Sequence, residues 1–140
     1  MASSARDGHG GAGGFMMALY SDVIRERFRH PRHRGSIPGA DAVFEDVNPL
    51  CGDRIRMECR LDGGRIAEAR FTGDSCAIAS ASADVLLDLV EGQPVALVST
   101  LGPERILERL ESDVRPSRMK CVALPLHVLQ GALDGKAVAR

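Results

Sequence analysis

Tryptophan is absent from the sequence, tyrosine occurs once and phenylalanine four times, which leaves few flat rings on which nucleobases could stack. An excess of charge of either sign is also missing. The formal net charge is −1, with Lys and Arg scattered among Asp and Glu, so neither a nucleic-acid footprint nor a polybasic membrane anchor is expected. No apolar run approaches the roughly 20 residues needed to cross a bilayer. The opening MASSARDGHGGAGGF has neither the charged start nor the apolar stretch of a secretion signal. We read residues 1–17 as a disordered Gly-rich tail, with Met16 or Met17 as an alternative start, and residues 18–135 as one domain in the cytoplasm. There is no C-x-x-C pair among the four cysteines. In a reducing compartment, grouped cysteines more often bind metal or do chemistry than form disulfides.

What is present suffices for one packed core, since 44% of the residues are hydrophobic. The segment LYSDVIRERFRHP sets Leu19, Tyr20, Val23, Ile24, Arg27 and Phe28 at helical spacing and ends at Pro31. Val43 and Phe44 form a short apolar piece among turn residues, suited to an edge strand. In RIRMECRL, Ile55, Met57, Cys59 and Leu61 alternate with Arg54, Arg56, Glu58 and Arg60, the pattern of a half-buried strand. Asp62 to Gly64 supply the glycines of a tight hairpin, and RIAEARF returns as its partner.

After TGDSC the period changes. Ile78, Ala81, Val85, Leu86, Leu89 and Val90 fall on one side of a helix that ends near Gly92. QPVALVSTL and PERILERLE predict two shorter helices, each with Pro near its start. A last helix is expected from Met119–Cys121 to Leu133, with Leu126, Leu129 and Leu133 inward and Pro125 in its first turn, where a missing amide does no harm. The whole is α+β: a small three-stranded antiparallel sheet packed against four to five helices.

The cysteines separate by position. Cys59 shares the apolar strand face and reads as a small buried hydrophobe. Cys51, Cys76 and Cys121 stand at ends of elements, where side chains from distant segments can converge and a helix N-terminus favours the thiolate. Arg118 and Lys120 push Cys121 the same way. Asp53, in Cys51-Gly52-Asp53, can be aimed with Cys51 at one centre; three thiolates and one carboxylate then complete a four-coordinate site for zinc or iron. The alternative for Asp53 is a turn residue that bonds nearby amides. Of the histidines, His9 lies in the tail, His30 and His33 in a basic, proline-rich loop, and His127 in the last helix. None is paired with a cysteine in a way that points to a hydrolase, which also needs a base and an oxyanion site.

NPLCGD, FTGDSCAIASASADVL and RMKCVALPL occur in that order after an LY…VI…HPRHRG opening. From about Leu19 to Leu133 the chain resembles the iron–sulfur cluster assembly scaffold family, the IscU, SufU and NifU N-terminal group. The resemblance implies that Cys51, Asp53, Cys76 and Cys121 are ligands of a [2Fe–2S] cluster or of Zn2+, and Cys59 is not. It implies a cysteine desulfurase and acceptor apo iron–sulfur proteins as partners, and a scaffold rather than an enzyme. The alternative is a zinc-dependent sulfur acceptor in which Cys51, or else Cys121, takes the persulfide. Lys120 within RMKC is similar to the SufU type, whereas the short stretch from Cys76 to Cys121 is similar to the IscU type. VRPSRMK stands where IscU carries a chaperone-recognition motif.

Overall fold

The computed structural model describes residues 20–50 and 52–136. The proposed tail and Cys51 lie outside the described residues. Three strands, β1 (Ala42–Asn48), β2 (Asp53–Asp62) and β3 (Arg65–Thr72), form an antiparallel sheet in the order β1-β2-β3. Among the described residues five helices accompany it: α1 (Asp22–Arg29), α2 (Ala77–Val90), α3 (Val95–Val98), α4 (Pro103–Leu110) and α5 (Met119–Ala132), the last preceded by a 3-10 turn at Pro116–Arg118.

The alternation read in β2 sorts its residues as expected. Ile55, Met57 and Cys59 are fully buried beneath α5, while Arg54 and Arg60 are exposed. The β2–β3 turn is Gly63-Gly64, both with positive φ (59° and 78°), the backbone that a two-residue hairpin with right-handed strand twist needs. Ala67 is an extra residue in β3, because Leu61 pairs with Ile66 and Arg60 with Glu68. The resulting bulge lets Ile66 and Ala69 both face the core.

Before β1 the chain runs beside the free edge of β3, where the Gly35 N–H bonds the Phe71 carbonyl (3.0 Å) and the Phe71 N–H bonds that of His33 (2.9 Å). It must then reach the far side of β2 to begin β1, and the helices already occupy one face. It therefore crosses the other, burying Ile37, whose N–H donates to the Glu58 carboxylate at 2.7 Å. Glu58 also accepts from Arg56 Nε (2.8 Å). The Ile37 amide first, and Arg56 second, hold the Glu58 carboxyl below its ordinary pKa. A depressed folded-state pKa stabilises the native state above the unfolded value of about 4.3, and that stabilisation is lost as pH falls through the folded value. Glu58→Gln should therefore be less stable than the parent at pH 7 in urea, with the gap closing towards pH 3; a gap independent of pH would show that the carboxylate charge does not matter.

Helix α2 differs from its expectation. Rather than burying one side, it is enclosed almost all round from Ala77 to Leu87, including Ser80, Ser82 and Asp84, and packs against α1, α4, α5 and β3. The run of Ala and Ser permits this, because small side chains let neighbouring backbones approach from several directions. The buried Asp84 accepts from Arg27 Nη1 (2.7 Å) and from the N–H groups of Arg32 (2.9 Å) and His33 (2.8 Å). Asp88, one turn on, takes the other arm of Arg27 and lies 2.7 Å from His33 Nε2. Burial opposes ionisation of Asp88, but Arg27 and His33 outweigh it and hold the carboxyl below its usual pKa.

That tie decides the facing of α1. Ser21 caps the helix, accepting from the Ile24 N–H and donating to the Leu110 carbonyl at the end of α4. Ile24 is buried and Arg27 turns inward to the two aspartates, which leaves Phe28 exposed, contrary to the apolar spacing. Pro125 corrects a second expectation. It falls in the second turn of α5, not the first. Having no N–H, it cannot bond the carbonyl of Cys121 four residues earlier. Leu126, Leu129 and Leu133 face the core as expected.

Candidate metal centre

Three separate segments converge at the end of the sheet where β2 begins. Asp53 is the first residue of β2, Cys76 is the N-cap of α2, and Cys121 lies in the first turn of α5. One ligand atom from each lies within 4.8 Å of the others. Asp53 thus belongs to the strand rather than to the turn before it, and it is buried. The Cys76 N–H donates to its Oδ1 (2.9 Å), and the Cys76 Sγ stands 3.7 Å from Oδ2. On a tetrahedral zinc, ligand atoms are about 3.3–3.8 Å apart. The carboxylate and thiol are therefore already at binding distance.

The β3–α2 connection brings them together. The Arg54 N–H donates to the Asp74 carbonyl (2.8 Å), pulling the start of β2 against the loop that carries Cys76. Gly73 makes this approach possible: at φ +138°, a Cβ on it would lie 2.0 Å from the Arg54 carbonyl oxygen. The Cys76 thiol in turn accepts from the Ala79 N–H (3.4 Å), the position a capping oxygen normally takes at a helix N-terminus.

Cys121 has no solvent exposure, and burial pushes its thiol up to about 12, opposed by its hydrogen bond from Arg118 and reinforced by Cys76. The sequence argument that neighbouring cations favour its thiolate is thus outweighed by desolvation in the metal-free chain, so binding of a metal must release a proton. Arg118 Nε stands 3.4 Å from the Cys121 Sγ, and its charge also faces Cys76. It lines a cleft of about 560 Å³ together with Tyr20, Ile24 and Ile78. Two thiols and a carboxylate fit three corners of a four-coordinate site for zinc or iron. Asp53, Cys76 and Cys121 are the His/Cys/Asp/Glu group of this kind found among the described residues; Cys51, the fourth expected ligand, lies outside them.

Cys59 is elsewhere, under the sheet. Burial pushes its thiol up to about 12, with the Glu91 charge adding to it, as suits an inert core residue. His33 is engaged with Asp88, and His127 with Asp46 on the surface (3.0 Å). Gly73 and Asp84 escaped the sequence reading. The signal for the first was a Gly placed before Asp-Ser-Cys, and for the second a lone carboxylate inside a run of Ala and Ser.

Residues 19–136 match the sequence profile of the NifU-like N-terminal domain. The chain belongs to that family. A zinc-dependent sulfurtransferase SufU of Bacillus subtilis is 37% identical over 78 residues, an alignment that spans 55% of this chain and 52% of the relative, so only about half of that protein is compared. The iron–sulfur cluster assembly scaffold protein IscU of Streptococcus pyogenes is 28% identical over 141 aligned residues, covering 87% of each. Among solved structures, an iron–sulfur cluster assembly scaffold for the SUF system from Fervidobacterium islandicum superposes with a TM-score of 0.71 at 28% identity, over 84% of this chain and 98% of that one. The α+β fold of this NifU-like domain is therefore that of IscU- and SufU-type scaffolds. Among the described residues, no helix is long and apolar enough to cross a membrane.

Proposed function

We propose that this NifU-like domain is an iron–sulfur cluster assembly scaffold that receives sulfur from a cysteine desulfurase and passes a [2Fe–2S] cluster to acceptor proteins. The observation that carries this reading is the convergence of Asp53, Cys76 and Cys121 from three segments to within 4.8 Å. Cys51 completes the set. Thiolates suit iron and sulfide, whereas the Asp53 carboxylate is a harder and weaker ligand for iron, so it is the one to let go when the cluster leaves.

A second reading is favoured by the identity with SufU and by Lys120 before Cys121. Here the same four residues hold zinc, which when bound keeps the thiols in the thiolate form at neutral pH. One thiolate, Cys51 or alternatively Cys121, then attacks the outer sulfur of the donor's persulfide. The new S–S bond forms as the donor's breaks, and the donor leaves as a thiolate. Both readings place the protein in the cytoplasm.

The deciding measurement is iron, zinc and acid-labile sulfide on anaerobically purified protein, before and after incubation with ferrous iron, cysteine and a desulfurase. Matching iron and sulfide support the scaffold; one retained zinc and no cluster support the sulfur acceptor; no metal at all overturns both. Asp53→Ala should weaken zinc binding by at least the roughly 10–100-fold that loss of an outer-shell partner costs and alter cluster lifetime, while costing only about 1–2 kcal/mol of stability for the lost Cys76 amide bond. Unfolding of the variant in the metal-free state would instead assign Asp53 a purely structural task.

A further inference from the structure

Phe28 is 42% exposed at the end of α1, beside a groove of about 390 Å³. Phe28, Arg29, Arg34, Asp74, Ser75 and Ser80 line this groove. Its charge is uncompensated. Arg29 makes no ion pair among the described residues, and Arg34 meets only the Gly73 carbonyl (2.9 Å) and the face of Phe71 (5.7 Å). Asp74 is already taken by Arg54 at 2.8 Å. On the neighbouring sheet face, by contrast, Arg54, Arg56, Arg60 and Arg70 are each matched with a carboxylate. The groove therefore joins two guanidinium groups without a carboxylate partner among the described residues to an exposed aromatic ring, and Ser75 in its lining adjoins Cys76 of the metal centre.

We propose that this groove docks an acidic protein segment bearing a large apolar side chain, presented by the sulfur-donating enzyme that serves the centre. The proposal rests on the sulfur-receiving role given above. The apolar side chain lies against Phe28, carboxylates meet Arg29 and Arg34, and the bound segment sits next to the loop that carries Cys76. Exposed charge of this kind governs encounter and is screened by salt, while the ring supplies the desolvated anchor.

The test is the stimulation of a cysteine desulfurase by the zinc-loaded full chain, titrated to saturation at about 0.05 and 0.5 M NaCl. Arg29→Glu/Arg34→Glu and Phe28→Ser should each raise the half-saturating concentration about tenfold or more with the maximal rate unchanged. Salt should weaken the parent but barely affect the double variant. Because Arg34 also supports Phe71, Arg29→Glu alone is included; with no ion pair to lose among the described residues, it should keep the fold and still raise the half-saturating concentration. Lys136→Glu, near the Ala42 end of β1 and away from the centre, should change nothing. Unchanged half-saturation in the groove variants, or an equal shift in Lys136→Glu, overturns the proposal. A parent chain that holds no metal and stimulates nothing refutes the role of the centre itself, and the docking assignment falls with it.

Discussion

Replacing Gly73 by alanine is expected to lower the thermal midpoint by about 10 °C or more and to abolish stable metal binding. The added Cβ would lie 2.0 Å from the Arg54 carbonyl oxygen, 2.9 Å from its carbon and 3.1 Å from the Ile55 Cα. These are backbone atoms of the central strand, paired with β1 on one side and bonded to the Asp74 loop on the other, and cannot shift without loosening the sheet. Overpacking of this kind costs about 1–3 kcal/mol. The φ of +138°, suited only to glycine, adds about 1–3 kcal/mol for any other residue. Together these come to about 2–6 kcal/mol, and in a domain this size each kcal/mol moves the midpoint by about 3–4 °C. The cheapest relaxation is to part Arg54 from Asp74, which also parts Asp53 from Cys76. Zinc titration and calorimetry of the variant check both effects, and a midpoint within about 2 °C of the parent would contradict the close approach.

Asp84→Ala should be nearly as damaging, at about 3–5 kcal/mol, the usual cost of removing one partner from a buried ion pair. It strips the acceptor from Arg27 and from the Arg32 and His33 amides at once. Asp84→Asn keeps an oxygen for the two amides, and Arg27 retains Asp88, so its loss should be about 1–2 kcal/mol. Position 84 lies eight residues along α2 from Cys76, roughly 12 Å at 1.5 Å per residue. Metal stoichiometry in the folded Asn variant should therefore match the parent. Urea unfolding of the pair, with zinc content measured alongside, separates a tie between segments from a part of the centre; equal stability of the Ala and Asn variants would refute the amide contacts.

The reach of the sequence can be judged from the same residues. Period-two alternation placed Ile55, Met57 and Cys59 on the buried face, and so removed Cys59 from the candidate ligands before any coordinates. Element ends, marked by Gly and by changes of period, picked out Asp53, Cys76 and Cys121, which the fold does bring together. Periodicity failed where burial was not amphipathic. A helix enclosed on all sides has no polar stripe to read, so nothing in the pattern marks Asp84 as buried. Helical spacing puts Arg27 and Phe28 on one face, but only Arg27 is held inward, because its ion pair with two aspartates, invisible to hydropathy, takes the inner position and leaves Phe28 exposed. Pro125 was misplaced because local propensity assumes every helical amide must be bonded, whereas packing of Leu126 and Leu129 holds α5 together across the missing one.

That missing bond has a kinetic meaning. The turn of α5 carrying Cys121 is joined to the rest of the helix by one hydrogen bond fewer than a regular helix would have, so it can open without melting the turns that follow. Opening at this place costs less free energy than global unfolding. Amide exchange should accordingly be faster from Val122 to Leu124 than from Val128 to Gln130, and metal binding should narrow the difference by tethering Cys121 to β2 and α2. Cys121, a proposed ligand, can therefore shift with its turn while the core stays shut.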